Sequence, residues 1–540
     1  MMGKRQSIPE QVAEHLMQYA QDGWQSLFQN GAAMQDAVLA DIIEFGRNSA
    51  YAEEHGFAGI RTKEEFLQKV PISEYGDYVS YVQDNMQKDA QQLTDLETEY
   101  YLLSTGRSMQ GKYYIETKTG ALARQLSIDI WNMSLAGKEP VMTDPAVKML
   151  AVTNCAPLDE APNGKAVRRT SGQAAKMLWE RAAQLYVFPY EFLEATMSDD
   201  DRDYLTALYT LKEKHFNMLF CNNLAYFGVL LDWIAAKPQQ MIDDIRAGYM
   251  TAELTEEDRA ILAETFTADE TRADELQQLL DEYGELPVEK IWPEFVFAGV
   301  WLAGSVGQFS RDVMRRLPER VRYISESYGS SEAMFNIPME FGCGYGPLAI
   351  YSCYFEFQPL DGGEPIGMAE VKDGEYYELL ITTYSGLYRY KINDIVRIRG
   401  FVGTTANIEF CCRNSENYLL TDRTVHSYEL IDVITQAEDT CQCLLRLYQG
   451  YVEDGRLSVL LEFDDTGTDY HAFCTQLRQI MEQKQIAAGC FYVMKDGYRN
   501  KEYRALMTNG RTMQCIKLPM IVEKQPDGAM VKEIYGPIER

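Results

Sequence analysis

This chain has few basic residues relative to its acidic residues. Its 540 residues include 51 Lys and Arg against 81 Asp and Glu, which gives a formal net charge of −30. A surface of that sign repels nucleic acid and anionic membranes over most of its area, so we expect no nucleic-acid partner. An anionic ligand such as a nucleotide therefore requires a local basic pocket and a metal ion.

Histidine and cysteine form none of the patterns that mark a metal or disulfide site. The five histidines are scattered, and the 11 cysteines include no C-x-x-C pair, so we interpret the cysteines as reduced thiols. No Ser-His-Asp or Cys-His set is recognisable, and no apolar run near the first residues suits secretion. Together these features predict a cytoplasmic protein.

Long apolar runs are also absent, and we expect no membrane span. The most hydrophobic stretch, residues 218–236, contains Asn222, Asn223 and Asp232, which are expensive in lipid. We interpret this stretch as a core helix. With 46% hydrophobic and 12% aromatic residues, the chain should fold, and its length favours at least two domains.

The order of patterns predicts a large N-terminal domain, residues 1–420, and a small C-terminal domain, residues 421–540. Residues 8–56 have helical periodicity, and residues 200–285 are acidic and helix-rich. Strand and helix patterns alternate between residues 291 and 328, which is typical of α/β packing. Residues 348–410 indicate consecutive antiparallel strands, which would form a barrel or a second sheet. After Arg413 the pattern becomes that of a compact α+β unit.

The first candidate segment lies between two predicted strands, at residues 104–112. Its hydroxyls, two glycines and two cations suit a phosphate cradle. Tyr113 follows Lys112 where a Walker loop has Ser or Thr, so the segment is not a Walker loop. The alternative is a polar turn between strands.

The second candidate segment follows a predicted strand and reads Tyr328-Gly329-Ser330-Ser331-Glu332. The Glu332 carboxylate is a hard oxygen ligand suited to Mg²⁺, which usually enters with phosphates. The alternative is a solvated turn residue.

The third candidate segment runs from Thr382 to Asp394. Asp394 lies at the start of a predicted strand, where its carboxylate can accept hydrogen bonds from two ribose hydroxyls, and Arg389 is a candidate phosphate contact. The alternative is a β-hairpin whose Asn393-Asp394 pair makes the turn.

Together and in this order, the three segments resemble the motifs of the adenylate-forming superfamily of acyl-CoA synthetases, adenylation domains and luciferases. The residues from Val70 to Tyr75, the run from Ile291 to Pro293 and residues 382–390 are similar to the auxin-responsive-promoter family of acyl acid amido synthetases, in its bacterial type. The resemblance covers about residues 60–430 and implies an α/β fold. That fold has a large N-terminal domain of β-sheets flanked by helices plus a β-barrel, and a small mobile α+β C-terminal domain.

The resemblance also implies ATP and Mg²⁺ as cofactors and assigns roles to individual residues. The implied phosphate contacts are Ser104, Thr105, Gly106 and Ser108, and the implied lining of the nucleotide pocket is Tyr328, Gly329, Ser330 and Ser331. Glu332 would hold Mg²⁺, Asp394 would hold ribose, and Arg413 would begin the hinge. The candidate catalytic residues are Lys112, Arg389 and Glu332.

The implied reaction adenylates a small carboxylic acid and transfers the acyl group to an amine, which we expect to be an amino acid, with release of AMP and pyrophosphate. One alternative is an acyl-CoA synthetase with a thiol acceptor. A channel for the phosphates of CoA needs positive charge, however, and this chain has no long Lys/Arg cluster to supply it. Another alternative is an acyl- or nucleotide-binding homologue without turnover. The presence of Glu332 and Asp394 counts against it.

Overall fold

The computed structural model describes residues 5–88, 91–104, 111–153, 159–168, 179, 182–464, 467–506 and 518–536. Contacts divide the chain into two units, each built from separate stretches of sequence. The first unit comprises Met1–Ala146, Thr153–Ala183 and Ile324–Phe410, and the second comprises Val147–Val152, Gln184–Tyr323 and Cys411–Arg540. This division differs from the sequence-based division at residue 420, because it groups the C-terminal stretch with residues 184–323.

The strands are, in chain order, β1 Thr98–Ser104, β2 Lys112–Thr117, β3 Lys148–Val152, β4 Asp159–Glu160, β5 Ala166–Arg168, β6 Phe216–Cys221, β7 Phe297–Val300, β8 Arg322–Ser325, β9 Tyr345–Pro347, β10 Cys353–Pro359, β11 Ile366–Gly367, β12 Tyr376–Thr383, β13 Tyr390–Val402, β14 Thr405–Arg413, β15 Asn417–Leu419, β16 Thr424–His426, β17 Leu445–Glu453, β18 Arg456–Phe463, β19 Ala488–Met494 and β20 Val531–Tyr535.

Within its described residues, the first unit has the helices Ile8–Glu14, Leu16–Asp22, Gln25–Phe28, Gly31–Gly46, Ala50–Glu54, Lys63–Lys69, Val79–Lys88 and Lys118–Ala136. Those of the second unit are Glu191–Glu194, Asp199–Lys212, Leu224–Ala236, Pro238–Ala247, Glu256–Ala263, Glu270–Tyr283, Val288–Ile291, Gly304–Gln308, Arg311–Arg316, Ser427–Cys441, Tyr470–Gln483 and Tyr498–Leu506.

A four-stranded sheet of the first unit, in the order β2-β1-β5-β4, carries the first candidate segment. β1 pairs with β2 in antiparallel register, which places Ser104 opposite Lys112. Tyr101 of β1 and Tyr114 of β2 are buried, since aromatic side chains suit a pleated, half-buried surface. The two strands predicted around residues 104–112 are therefore confirmed.

A six-stranded sheet in the order β11-β10-β12-β13-β14-β9 lies in the first unit except for residues 411–413 of β14. β12 pairs antiparallel with both β10 and β13, which confirms the run of consecutive antiparallel strands predicted over residues 348–410. The helix Gly31–Gly46 packs against β10. The buried Gln35 of this helix anchors it to the sheet, because its side-chain amide donates to the carbonyls of Ile350 and Cys353 at 2.7 and 2.9 Å.

The turn between β12 and β13 requires a glycine. Gly386 has φ of +91°, and a Cβ at this position would lie 2.3 Å from the Cβ of Leu93, so a larger residue would be both strained and crowded. Next to the turn, the Tyr388 ring stacks on Tyr51 with centroids 4.8 Å apart, and its hydroxyl donates to the Leu93 carbonyl at 2.7 Å. These contacts fix the start of β13.

A four-stranded sheet in the order β3-β6-β7-β8 lies in the second unit, and the boundary between the units falls within β8. β3 pairs parallel with β6, and β6 with β7. The alternation of strands and helices predicted between residues 291 and 328 is present as β7, the helices Gly304–Gln308 and Arg311–Arg316, and β8. The core helix predicted over residues 218–236 is wrong at its start, because residues 218–221 belong to β6, but the helix is present from Leu224 to Ala236. Asn223 caps the following helix by accepting from the Ala225 N–H at 3.2 Å, so the polar pair interrupts the apolar run.

A second sheet of this unit has the strand order β17-β18-β19-β20. The same stretch of the chain contains the helices Ser427–Cys441 and Tyr470–Gln483. The mixture of helices and strands after Arg413 agrees with the α+β pattern predicted there. Across the part of the chain that the structure describes, no helix is long and apolar enough to cross a membrane.

Candidate active site

The first candidate segment is anchored at both ends by β1 and β2. Ser104 is the last residue of β1 and Lys112 is the first of β2, and the two are paired across the sheet. The Lys112 ammonium lies over the Tyr75 ring, 4.9 Å from its centroid. The structure therefore brings Ser104 and Lys112 together. Three other predicted phosphate contacts, Thr105, Gly106 and Ser108, lie outside the described residues.

The second candidate segment is a hydrogen-bonded turn. The Tyr328 N–H donates to Oδ1 of Asn336 at 2.8 Å. The Ser330 N–H donates to the Ala333 carbonyl at 2.9 Å, and Oγ of Ser330 accepts the Glu332 N–H at 3.2 Å. The backbone is therefore held in one conformation just before the candidate metal ligand.

Gly329 lies in the tightest part of this turn. A Cβ at this position would come within 2.5 Å of the Met334 sulfur, which is closer than real Cβ atoms approach. Gly329 and Met334 also form an antiparallel β-bridge. A side chain at position 329 would therefore displace the thioether of Met334 and crowd the Ala333 carbonyl, 3.2 Å away.

The second and third segments meet through Tyr328 and Asp394. The Tyr328 hydroxyl donates to Oδ2 of Asp394 at 2.6 Å, and both side chains are buried. Asp394 lies inside β13, directly after Asn393, whose φ is +65°. The alternative in which Asn393 and Asp394 make a hairpin turn is therefore wrong, because the turn of that hairpin lies at Gly386 and the left-handed Asn393 belongs to the strand.

Glu332 lies beside one tyrosine of β2, the strand that follows the first segment, and one tyrosine of the third segment. The hydroxyls of Tyr114, in β2, and Tyr390, in β13, are 3.2 Å apart. Burial raises the pKa of Tyr114 above its ordinary value, and the charge of the neighbouring Glu332 raises it further. Burial raises the pKa of Tyr390 as well, again with Glu332 as the next cause. Glu332 is half-buried beside these two tyrosines.

A buried ion pair that sequence reasoning missed lies under the turn. Nη2 of Arg124 is 2.9 Å from Oε2 of Glu116, and the guanidinium also donates to the carbonyls of Ser330 and Ser331 at 2.8 and 3.2 Å. Burial raises the pKa of Glu116, and Arg124 opposes that shift. The two residues are eight apart with no motif around them, so only the fold reveals the pair.

The structure does not bring Arg389 to the other candidates. Its guanidinium forms a buried ion pair with Glu356, with Nη2 2.9 Å from Oε1. It also donates to the carbonyls of Leu67 and Val70 at 2.6 and 3.0 Å. The backbone of Arg389 has φ of +47°. These contacts give the side chain a structural role and leave the expected phosphate contact without support.

Arg413, the predicted start of the hinge, is exposed at the end of β14 and belongs to the second unit. Its carbonyl accepts the Glu416 N–H at 2.8 Å. Among the described residues, no three His, Cys, Asp or Glu side chains are grouped as metal ligands.

Comparison with solved structures defines the fold first. 2-Hydroxyisobutyryl-CoA ligase in the postadenylation state with 2-HIB-AMP has a TM-score of 0.54 at 11% identity, covering 92% of this chain and 91% of that chain. The AtGH3.15 acyl acid amido synthetase in complex with 2,4-DB has a TM-score of 0.82 at 18% identity, covering 100% of this chain and 99% of that chain. The protein thus has the mixed α/β fold of adenylate-forming enzymes.

Sequence comparison then defines the family. The GH3 family N-terminal domain matches residues 22–320, and the GH3 family central domain matches residues 346–413. Jasmonoyl–L-amino acid synthetase JAR4 of Nicotiana attenuata is 31% identical over 198 residues, which are 33% of this chain and 33% of that protein. The chain belongs to the GH3 family, which confirms the family resemblance of its motifs.

Proposed function

We propose that this protein is an acyl acid amido synthetase, an ATP-dependent ligase that adenylates a carboxylic acid and transfers the acyl group to an amine. The observation that carries the proposal is the 2.6 Å hydrogen bond between Tyr328 and Asp394, because it joins two of the three candidate segments. Ser104 and Lys112 of the remaining segment lie in the same unit. The names of the matched relative and of the matched amido synthetase structure support the same activity.

The nucleotide would bind between the three segments. Asp394 would accept hydrogen bonds from ribose hydroxyls, with its carboxylate oriented by the Tyr328 hydroxyl that already occupies Oδ2. Lys112 would offset the charge of the phosphates. The proposed phosphate contacts remain Ser104, Thr105, Gly106 and Ser108, and the proposed pocket lining remains Tyr328, Gly329, Ser330 and Ser331.

Glu332 fits the donor set that Mg²⁺ prefers, since this ion binds one or two carboxylates together with substrate phosphates rather than a cage of protein ligands. The absence of a three-residue metal cluster in the described parts of the chain agrees with that arrangement. When bound with the triphosphate, Mg²⁺ supplies positive charge that stabilises the departing pyrophosphate. The hydrogen bonds of the turn before Glu332 support this role, because they fix the backbone from which its carboxylate would reach the ion.

The reaction has two half-reactions. In the first, a carboxylate oxygen of the acid bonds to the α-phosphorus of ATP, and the bond from that phosphorus to the bridging oxygen breaks, so pyrophosphate leaves with the electron pair. In the second, the amine nitrogen bonds to the acyl carbon, and the bond from that carbon to the AMP oxygen breaks. The nitrogen gives up a proton to a base or to water. No side chain needs to act as a nucleophile.

The acceptor is proposed to be an amino acid. The name of the JAR4 relative specifies an L-amino acid. A net charge of −30 also disfavours the polyanionic CoA as a ligand unless a local basic channel offsets it. The thioester alternative stays open because a CoA ligase shares the fold. Within this proposal the hinge at Arg413, a moving segment beyond residue 420, a bacterial-type family position and a cytoplasmic location all remain predictions.

The test is to supply purified protein with ATP, Mg²⁺ and a panel of carboxylic acids, together with either an amino-acid mixture or CoA. We expect acid-dependent AMP release and an amide product identified by mass spectrometry. A thioester as the main product would replace the amide assignment with the CoA alternative. No acid-dependent AMP release across a broad panel, despite ATP binding, would favour the homologue without turnover.

A further inference from the structure

A buried carboxylate in β2 holds a buried arginine in the helix that follows. Glu116 is 2% exposed and Arg124 is 8% exposed. Nε and Nη2 of Arg124 donate to Oε2 of Glu116 at 3.1 and 2.9 Å. The other oxygen, Oε1, accepts the Ser385 hydroxyl at 3.1 Å. Both oxygens of Glu116 are therefore engaged, and the carboxylate fixes the plane of the guanidinium.

The outer edge of the same guanidinium holds two consecutive carbonyls of the candidate nucleotide turn. Nη1 donates to the Ser330 carbonyl at 2.8 Å, and Nη2 donates to the Ser331 carbonyl at 3.2 Å. A planar fork of N–H donors can span two such acceptors, whereas a single ammonium cannot do so in a fixed geometry. The residue that follows these two carbonyls is Glu332, the candidate metal ligand.

The surroundings of the guanidinium indicate that it acts on the turn rather than on a substrate. Four of its N–H groups are used by Glu116, Ser330 and Ser331. A cavity of about 10 Å³ is lined by Glu116, Arg124, Glu332 and Ser385 among others. That volume holds about one water molecule, and it is too small for an acyl group or a nucleotide.

We propose that Arg124 is a positioning residue, oriented by Glu116, that fixes the backbone from which Glu332 presents its carboxylate. The inference rests on the proposed function, since it concerns how Mg²⁺ and ATP are held for adenylation. A displacement of about 1 Å in a catalytic arrangement can lower a rate by about 100-fold. Loosening Ser330 and Ser331 is therefore expected to impair the use of Mg²⁺ and ATP even though Arg124 touches neither.

Arg124→Lys is the main test variant, because it keeps the positive charge beside Glu116 and removes the fork. We expect at least a tenfold fall in kcat for acid-dependent exchange of pyrophosphate into ATP. We also expect at least a fivefold rise in the Mg²⁺ concentration for half-maximal rate, with the KM for the acid changed less than twofold. Binding of Mg²⁺ and ATP, followed by isothermal titration calorimetry, should weaken in parallel.

Arg272→Lys is the matched control. Arg272 is 4% exposed in the second unit and donates to the carbonyls of Leu211 and Ile291, with Nη2 at 3.0 and 2.8 Å. Arg272→Lys removes the same planar set of guanidinium N–H donors, so its melting temperature should fall about as much as that of Arg124→Lys. Its Mg²⁺ dependence should match the wild type. Equal changes of Mg²⁺ dependence in both variants would reduce the role of Arg124 to general stability and overturn the inference.

Glu116→Gln covers the case in which Arg124→Lys fails to fold. The amide keeps an oxygen for Arg124 and an N–H₂ group for Ser385, so we expect a folded protein with a smaller shift of the Mg²⁺ requirement in the same direction. Wild-type Mg²⁺ and ATP binding in whichever variant folds would overturn the positioning role and leave the proposed function standing. A wild-type protein without acid-dependent AMP release would instead contradict the proposed function, and the binding isotherms would still decide the role of Arg124.

Discussion

The Tyr328 hydroxyl and the Asp394 carboxylate lie 2.6 Å apart, although 66 residues separate them in the chain. The Tyr328 ring packs against Phe335 and Phe410, with centroids 4.7 and 5.3 Å away, so the phenol is held from two sides. Both partners of the hydrogen bond are buried, and in that low dielectric a charge-assisted hydrogen bond is strong. The phenol therefore sets the direction in which Asp394 faces.

Tyr328→Phe removes this hydroxyl and keeps the ring. A hydrogen bond to a charged group is worth ~1.5–3 kcal/mol, so we expect both a loss of stability of that size and about a tenfold rise in the KM for ATP. Urea unfolding and initial rates of AMP release measure the two effects.

Tyr204→Phe is the control for that experiment, since the Tyr204 hydroxyl donates to buried Asp244 at 2.8 Å in the second unit. It should lose similar stability without changing the KM for ATP. A wild-type KM in Tyr328→Phe would show that the Tyr328–Asp394 pair is structural only.

Asp394→Ala removes the proposed ribose acceptor. Lost hydrogen bonds to this carboxylate are expected to weaken ATP by ~1.5–3 kcal/mol, which is about 10- to 100-fold in the dissociation constant. The comparison of ATP with 2′-deoxy-ATP sharpens the test. The wild type should prefer ATP, and Asp394→Ala should lose most of that preference. A variant that still discriminates between the two nucleotides would place the ribose elsewhere.

Glu332→Gln keeps the size of the side chain and removes its charge. Because Mg²⁺ prefers anionic oxygen ligands, we expect the Mg²⁺ requirement to rise at least tenfold while the melting temperature changes little. Titration of Mg²⁺ at saturating ATP measures the shift. Glu340→Gln is a control, because Glu340 forms an ion pair with Lys138 at 2.7 Å and is exposed. An unchanged Mg²⁺ requirement in Glu332→Gln would show that the metal has another ligand.

Local signals in the sequence were sufficient to place several elements. The Thr62-Lys63-Glu64-Glu65 run predicts a capping box and a helix that ends before Pro71, and the helix Lys63–Lys69 has that box. The Glu65 N–H donates to Oγ1 of Thr62 at 3.2 Å. Capping involves residues three positions apart, so no tertiary information is needed to predict it.

Elements that depend on a distant partner were harder to predict. Asn393 and Asp394 have the composition of a turn, yet they continue β13 because β12 supplies the pairing and a register shift absorbs the left-handed Asn393. Arg389 has the sequence context of a phosphate contact, but its charge is matched by Glu356, 33 residues earlier. A motif gives the order of such residues in the chain and does not show which face of the strand they occupy.

The sequence was sufficient to predict the segments of the candidate site but not the side-chain contacts that join them. Ser104, Glu332 and Asp394 each belong to a recognisable segment, so the sequence alone indicates them. Arg124 and Glu116 belong to none. Their contacts join a strand, a helix and a distant turn, and only the folded chain brings those together.

The buried carboxyl group of Asp203 should make the free energy of unfolding depend on pH. Burial raises its pKa from 3.8 to about 7, the Tyr226 hydroxyl opposes that shift, and Asp199 and Asp200 add to it. The folded state therefore binds this proton more tightly than the unfolded state, and the stability associated with it is present at low pH and is lost as pH rises through about 7. The difference in pKa corresponds to at most ~4 kcal/mol.

Asp203→Asn keeps an oxygen to accept the Tyr226 hydroxyl, which lies 2.8 Å away, and removes the titration. We expect the variant to gain stability over the wild type at pH 8 and to gain little at pH 4, as measured by urea unfolding at both values. Asp361 is exposed, so Asp361→Asn serves as a control and should leave the stability unchanged at both pH values. A gain of the same size at both pH values would contradict the assignment of the titration to Asp203.

Arg499 and Asp312 form a buried ion pair in the second unit, with Nη1 to Oδ1 at 2.8 Å and Nη2 to Oδ2 at 2.9 Å. Arg499→Met leaves a carboxylate buried without its partner, and we expect a loss of ~3–5 kcal/mol in the free energy of unfolding. The exposed pair of Arg246 and Asp274, 2.6 Å apart, offers a matched control. Arg246→Met should cost less than ~1 kcal/mol.

The same pair tests whether residues beyond 420 move as predicted. Arg499 belongs to the C-terminal stretch and Asp312 to residues 184–323, so a rotation of the C-terminal stretch between the half-reactions would break their contact in one of the two states. If that rotation occurs, Arg499→Met should change pyrophosphate exchange and amide formation from added acyl-adenylate by different factors. Arg246→Met should change neither. Equal loss of both half-reactions in Arg499→Met would show that the pair only stabilises the fold and that the C-terminal stretch stays with residues 184–323 throughout the reaction.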